Sequence, residues 1–397
     1  MDTDGRRQAG TAPMNVLFYT VDYKPLSGGI AEHTHQLASY FDRSGDDVIV
    51  VAPAMDGSDA FDSEQPFPVY RVPSYPVVGH LLLFAMLLYA VWKHGIDWVY
   101  CPMWFPTGAI AVLSSYVLGV KTAIAVHAHE VVYEKTTVRK RLGSRLRHVQ
   151  ATLLEMASVV IAVSSYTKAR VVDIGVDPNH VRVVNNGVNP ERFETTDTHP
   201  VAVRTDGPIL LTVARLDPRK GHDTILEALP SLLDSYPSLT YVVAGDGQQR
   251  TDLESLAATI GVDDAVEFLG YVPDDDLPSL YNAADVFAMP NRRERTSVEG
   301  FGIVFLEANA TGTPVVGGRH GGVTDAIVDG ETGYLVDPTD PDAVADAIGR
   351  LLTDDDLRRS LGEAGRERVM DSYTWDDVGS QLHSILTSGL EQHLTHE

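Results

Sequence analysis

The sequence predicts two doubly wound α/β domains in tandem, each a parallel sheet with helices on both faces. Three observations carry this. Short apolar runs rich in strand formers alternate with helical patterns along most of the 397 residues, as sheets buried on both faces require. The alternation breaks at a polar stretch containing Pro and Gly, residues 191–208, and then restarts. The chain length suits two or three domains, and 44% hydrophobic with 22% charged residues is ordinary for a folded protein.

In chain order, "NVLFYTVDY" at 15–23 is the first strand, followed by a glycine loop and a helix in "LSGGIAEHTHQLASYF". "DVIVVAP", "WVYCP", "TAIAVHAHE" and "SVVIAVSS" supply further strands, and "VRVVNNGVNP" at 181–190 closes the first half. After the polar stretch come "ILLTVARL", "LTYVVAGDG", "AVEFLGYV", "VFAMP" and "PVVGG" as strands. The helices among them are "DTILEALPSLLDSY", "TDLESLAATIG", "LPSLYNAAD", "IVFLEANATG" and "AVADAIGRLL". The expected boundaries are a first domain at 1–200, a second at 201–372, and a terminal helix at 373–397 packing back toward the first. Open sheets of this kind bind ligands beyond the carboxyl ends of their strands, so the groove between two facing sheets is the expected site.

Charge narrows the classes of function. Lys plus Arg is 31 against 55 for Asp plus Glu, a net of -24, and only 7 of the cations are lysine. Nucleic-acid binding needs a basic face and is excluded. Acid excess with scarce lysine is expected of a protein kept soluble in high salt. Cys101 is the single cysteine, which leaves no intramolecular disulfide and fits a reducing compartment. The opening "MDTDGRRQAGTAPM" has no apolar h-region, so a signal peptide is not expected.

Four motifs carry chemistry. In "EGFGIVFLEA", Glu299 and Glu307 bracket an apolar run. A helix opening near Gly302 would leave Glu299 in the preceding loop and Glu307 inside the helix. Its first N–H groups lack internal partners and face any oxygen-rich ligand, aided by the helix dipole. Two carboxylates at that spacing can accept from hydroxyls several ångströms apart. In "VARLDPRKGHDTILEAL", Arg215 and Lys220 precede a helix and could neutralise phosphate oxygens. In "SGGIAEH", Gly28 and Gly29 let backbone approach a ligand, although the full dinucleotide fingerprint is missing. In "VHAHE", His127 and His129 share one face of an extended segment, but no third metal ligand is evident. Acidic triplets at 274–276 and 354–356 read as solvated turns.

The run "SVEGFGIVFLEANATGTPVVGGRHGGVTDAIVDGETGYLVDP" resembles the C-terminal signature of retaining glycosyltransferases of family 4. The match rests on the glutamate pair, "TGTPVV", Gly321 with Gly322, and "GETGYLVDP". Its wording is most similar to the branch that mannosylates phosphatidylinositol-type lipids. The resemblance implies the GT-B fold, with an acceptor-side first domain and a nucleotide-sugar-binding second domain. It implies that Arg215 and Lys220 hold the diphosphate and that Glu307 binds the ribose. It gives the sugar hydroxyls to Glu299 and the N–H groups of Phe301, Gly302 and Ile303. It places Gly28 and Gly29 beside the donor, and the strand end around Leu269 against the base. His127 is the choice for the histidine near the reacting sugar, with His129 the alternative and Glu130 orienting either. No metal and no cofactor beyond the donor are expected.

Two stretches raise the membrane question. "LLLFAMLLYAVW" at 81–92 is too short to span a bilayer and reads as either a buried or an interfacial helix. Residues 135–148 hold six Lys or Arg and no acid, which suits an anionic lipid or a lipid-linked acceptor. The expectation is a cytoplasmic enzyme, peripheral on the inner face of the plasma membrane. It would move a hexose from GDP-mannose or a UDP-sugar to a lipid-linked or glycan acceptor. A nucleotide-sugar epimerase of the same fold and a non-catalytic nucleotide-sugar sensor are the alternatives.

Overall fold

The computed structural model describes residues 13–74, 78–132, 140–193 and 206–394. The first half contributes β1 (Asn15–Tyr19), α1 (Gly29–Arg43), β2 (Asp47–Pro53), α2 (Ser58–Ser63), β3 (Val69–Val72), α3 (Val78–His94) and β4 (Trp98–Cys101). It continues with α4 (Ala109–Leu118), β5 (Lys121–Val126), α5 (Lys140–Met156), β6 (Val159–Ala162), α6 (Ser165–Asp173) and β7 (Val181–Val183). These strands form one parallel sheet in the order β3-β2-β1-β4-β5-β6-β7. Val16, Leu17, Phe18 and Tyr19 are all fully buried, so both faces of β1 meet helices, as the unbroken apolar run predicts. The alternation did not anticipate β3, a four-residue strand that is mostly half-buried.

The second half runs β8 (Ile209–Val213), α7 (His222–Ser235), β9 (Thr240–Ala244), α8 (Arg250–Ile260), β10 (Val266–Gly270), α9 (Leu277–Ala283) and β11 (Val286–Met289). Then come α10 (Ile303–Ala310), β12 (Val315–Gly318), α11 (Val323–Ala326), β13 (Gly333–Val336), α12 (Pro341–Thr353), α13 (Asp355–Ser372) and α14 (Trp375–Leu394). The second sheet is parallel in the order β10-β9-β8-β11-β12-β13. Strand order reverses beside β1 in one sheet and beside β8 in the other. A crevice opens at such a switch point.

The terminal helix belongs to the first domain's core. Trp375, Val378, Leu382 and Leu386 of α14 join Phe18, Phe41 and Trp98 in one buried cluster. Each such side chain contributes roughly 1.5–3 kcal/mol of burial, an upper estimate. Residues 194–205, within the expected 191–208 linker, lie outside the described residues; the chain returns to the first domain at Tyr373–Trp375. At this return the Val188 N–H donates to the Tyr373 carbonyl (2.8 Å) and the Trp375 N–H donates to the Val188 carbonyl (3.2 Å). The domains also meet where Ala128 and Val132 pack on Val298, and where the Ser165 N–H donates to Asp325 Oδ2 at 2.7 Å.

Residues 81–92 are neither wholly core nor wholly exposed. Leu83, Leu87 and Ala90 of α3 are buried, while Leu81, Phe84 and Trp92 face outward. Of the basic stretch 135–148, residues 133–139 and the side chains of 140–145 lie outside the described residues, as does the opening segment at 1–12. Among the described residues no helix is long and apolar enough to cross a membrane.

Candidate active site

Beyond β8 the chain makes a tight cationic turn. Asp217 caps it, accepting from the Arg219 N–H at 3.2 Å, and Pro218 supplies a preset first position. Gly221 leaves the turn at φ 76°, where an added Cβ would lie 2.2 Å from the Pro290 carbonyl oxygen. Only glycine fits there, and that fit fixes Lys220. Lys220 Nζ and Arg219 Nη1 both donate to Glu299 Oε2, at 2.6 and 2.7 Å. Burial pushes the Glu299 carboxyl up, but the two cations and their hydrogen bonds outweigh it and hold it below the usual carboxylate range.

Glu299 lies in the loop that feeds α10, three residues before its Gly302 cap. Phe301 is buried, stacked on Tyr373 with ring centroids 6.1 Å apart, and it anchors that loop. Gly302 sits at φ 96°, and a Cβ there would press within 2.7 Å of the Phe305 ring. One turn on, Glu307 accepts from the Tyr281 hydroxyl at 2.7 Å. Burial raises its pKa, partly offset by the Tyr281 bond and the nearby Arg192 charge.

Of these groups Arg219, Lys220 and Glu307 line a cavity of about 450 Å³ at the facing strand ends. The first domain lends Lys24, Gly28, Gly29 and Glu32 to its wall. An added Cβ on Gly28 would meet nothing within 4 Å, and one on Gly29 would reach Ile303 Cδ1 at 4.0 Å. The glycines thus keep the groove open against α10. The second domain lends Arg215, Arg219, Lys220, Ile303, Val304 and Glu307. Arg215 lies at the rim with its side chain 79% exposed, 3.8 Å from Asp217.

Six residues expected at the site, Gly28, Gly29, Arg215, Lys220, Ile303 and Glu307, therefore share one hollow. Glu299 stands directly behind Lys220. His127 ends β5 at the neighbouring seam, edge-on to His33 at 5.9 Å, and the next residue, Ala128, abuts Gly300. Leu269 is placed differently from expectation. It packs on the second domain's core, and the cavity wall past β10 is built by Tyr271 and Val272. The cause is a register shift between Phe268 and Gly270, after which Gly270 turns the chain at φ 72°. Glu130 accepts from the backbone N–H of His127 at 2.7 Å, which holds the bend after β5, and burial pushes its pKa up to about 8; the side chain of His129, the alternative histidine, lies outside the described residues.

Sequence reasoning passed over Arg219, adjacent to Lys220, because Arg215 already filled the arginine role. It also missed Tyr281, Arg192 and buried His33, whose ring nitrogens bond Asn186 (2.8 Å) and Tyr100 (2.7 Å). Of the acidic triplets, Asp354 caps α13, whereas Asp274 lines the cavity. Among the described residues no group of three or more His, Cys, Asp or Glu could hold a metal.

Comparison with known proteins agrees with this geometry. The family description "Glycosyltransferase Family 4" matches residues 27–192, and "Glycosyl transferases group 1" matches 194–368. A GDP-mannose-dependent alpha-(1-6)-phosphatidylinositol monomannoside mannosyltransferase of Mycolicibacterium smegmatis is 31% identical, over 95% of this chain and 99% of its own. Its namesake from Mycobacterium tuberculosis is 33% identical, over 94% and 97%. The crystal structure of Anabaena HepE in complex with UDP superposes with a TM-score of 0.78 at 21% identity, covering 94% of this chain and all of that one. The chain is an enzyme of glycosyltransferase family 4 with the GT-B fold.

Proposed function

We propose that the protein transfers a hexose, with retention of configuration, from a nucleoside diphosphate sugar to a lipid-linked or glycan acceptor. GDP-mannose is the first donor to test, because the mannosyltransferases similar to this chain are named for it. A UDP-sugar is the second, because HepE holds UDP. The single observation that carries the reading is the cavity at the facing strand ends, lined by Lys24, Arg192, Arg215, Arg219 and Lys220 together with Glu307. It has the charge for a diphosphate and the carboxylates for hydroxyls at either end.

In this reading Arg215, Arg219 and Lys220 take the diphosphate, and Glu307 accepts from the ribose. Both cations bond Oε2 of Glu299, which leaves Oε1 for a sugar hydroxyl. The N–H groups of Phe301, Gly302 and Ile303 serve the same sugar, and His127 stands on the acceptor side of it. As the bond from the anomeric carbon to phosphate oxygen breaks, charge grows on the diphosphate, where preorganised cations lower the barrier. The acceptor hydroxyl adds to the same face and its proton passes to the departing phosphate oxygen. No metal is needed in this scheme. The enzyme works peripherally, at the cytoplasmic face of the membrane.

The test is a thermal-shift screen of nucleotide sugars, followed by hydrolysis and transfer assays in chelator. Free sugar or glycosylated lipid should appear with the donor that shifts the melt. A melt shift with no turnover on any donor would favour the sensor reading.

A further inference from the structure

His33 of α1 is fully buried, so both of its ring nitrogens need partners. Nδ1 lies 2.8 Å from Asn186 Oδ1, and Nε2 lies 2.7 Å from the Tyr100 hydroxyl. An amide oxygen only accepts, so Nδ1 carries the proton and Nε2 accepts from Tyr100. Burial pushes the imidazole pKa down to about 4, against a smaller opposing pull from the Asn186 bond. The ring is therefore neutral at ordinary pH. A phenyl ring would fill the same space. What the two directed hydrogen bonds add is a fixed ring plane, since a buried polar network with every member satisfied is rigid.

That fixed plane stands between two other rings. His33 meets His127 edge-on at 5.9 Å between ring centroids, and Trp375 edge-on at 5.8 Å. Trp375 belongs to the return of the chain to the first domain, where its N–H donates to the Val188 carbonyl at 3.2 Å. Asn186 stands two residues before Val188. Between them an added Cβ on Gly187 would lie 3.0 Å from both the Trp375 ring and the Trp375 backbone nitrogen, so this junction has no slack. On the other side, Glu130 fixes the backbone of His127 through its N–H at 2.7 Å, and His33 packs on the ring that this backbone carries.

We propose that His33 is a positioning residue, which sets the His127 ring beside the sugar and refers its place to the interdomain junction through Asn186 and Trp375. Tyr100, Asn186 and Trp375 hold His33 from three separate parts of the chain, and His127 receives the result. The consequence for the sugar rests on the transfer reading above, whereas the contact between the two histidine rings does not.

The test uses the full chain and either GDP-mannose or UDP-glucose, whichever the wild type hydrolyses faster. H33F keeps a ring and removes both hydrogen bonds. It should lower kcat about tenfold, while KM and the affinity for the free nucleoside diphosphate stay within about twofold, because Lys220 and Glu307 sit in the other domain. In the H127A background H33F should cost less than about twofold more, since two residues that act as one unit are not additive. An equal fall in both backgrounds would mean that His33 serves the fold alone, and would overturn the proposal. Y100F changes only the hydroxyl that bonds His33. It should show the same pattern with a smaller fall, and it replaces H33F if that variant does not fold. A second readout needs no turnover. With isotope-labelled histidine, the His127 imidazole signals, assigned by their loss in H127A, should shift or broaden in Y100F. Unmoved signals would also overturn the proposal. Moved signals in a protein that hydrolyses neither donor would support the positioning and count against the transfer reading.

Discussion

Glu299 is a carboxylate that two cations hold ionised, and this sets what its removal should do. Taking away one member of a buried ion pair strands the others and costs more than the pair contributes. In Lys220→Ala the Glu299 carboxylate keeps only Arg219, and the diphosphate loses its nearest compact charge. Nucleotide affinity should fall about hundredfold, the scale of one truncated, desolvated charge pair. Glu307→Ala should give a similar loss, read by titration calorimetry; wild-type affinity in both variants would remove the donor-site assignment. Glu130 makes a different prediction. Its carboxyl is raised from 4.5 to about 8, so the folded state holds the proton more tightly than the unfolded chain. That contribution is complete below about pH 4.5 and is lost as pH rises through about 8. Glu130→Gln keeps an acceptor for the His127 N–H and cannot titrate. Its melting temperature should match wild type at pH 4.5 and exceed it at pH 8.5, and parallel curves would refute the shift.

At the scale of elements, the site depends on two glycines that no side chain can replace. In Gly221→Ala the new methyl meets the Pro290 carbonyl at 2.2 Å, in a backbone conformation that costs L-residues about 1 kcal/mol or more. The turn must shift, and Lys220 shifts with it. Nucleotide binding should weaken together with the melting temperature, by contrast with Lys220→Ala, where binding should fall more than stability. These elements also show what the sequence could convey. Glu299, Lys220, Glu307 and the start of α10 at Ile303 were legible because apolar runs bracket them and glycine marks the turns. Arg219 was not, since it takes the Asp217 cap and the Gly221 exit to turn both neighbouring cations inward onto Glu299. His33, Asn186 and Tyr100 meet across 153 and 67 residues of sequence, a juxtaposition set by sheet order. Leu269 was misplaced because one bulge in β10 moves the wall two residues along. The faces of α3 were undecidable from a run of twelve apolar residues, which has no polar side to read.

For the whole molecule, the excess of acid is the dominant long-range term. A net charge of -24 means that compaction works against self-repulsion, which acts over a screening length of about 10 Å at 0.1 M salt and about 3 Å at 1 M. The pairs at the active site are buried and short, so screening leaves them nearly unchanged, whereas the acids dispersed over the surface are relieved. Relief of about 2 kcal/mol would raise the melting temperature by roughly 4–8 °C for domains of this size. The melting temperature should therefore climb between 0.1 and 2 M KCl, while nucleotide affinity changes less than it would at an exposed phosphate site. A melting temperature that stays flat or falls across that range would show that the acids are already balanced locally and that the chain is not adapted to salt.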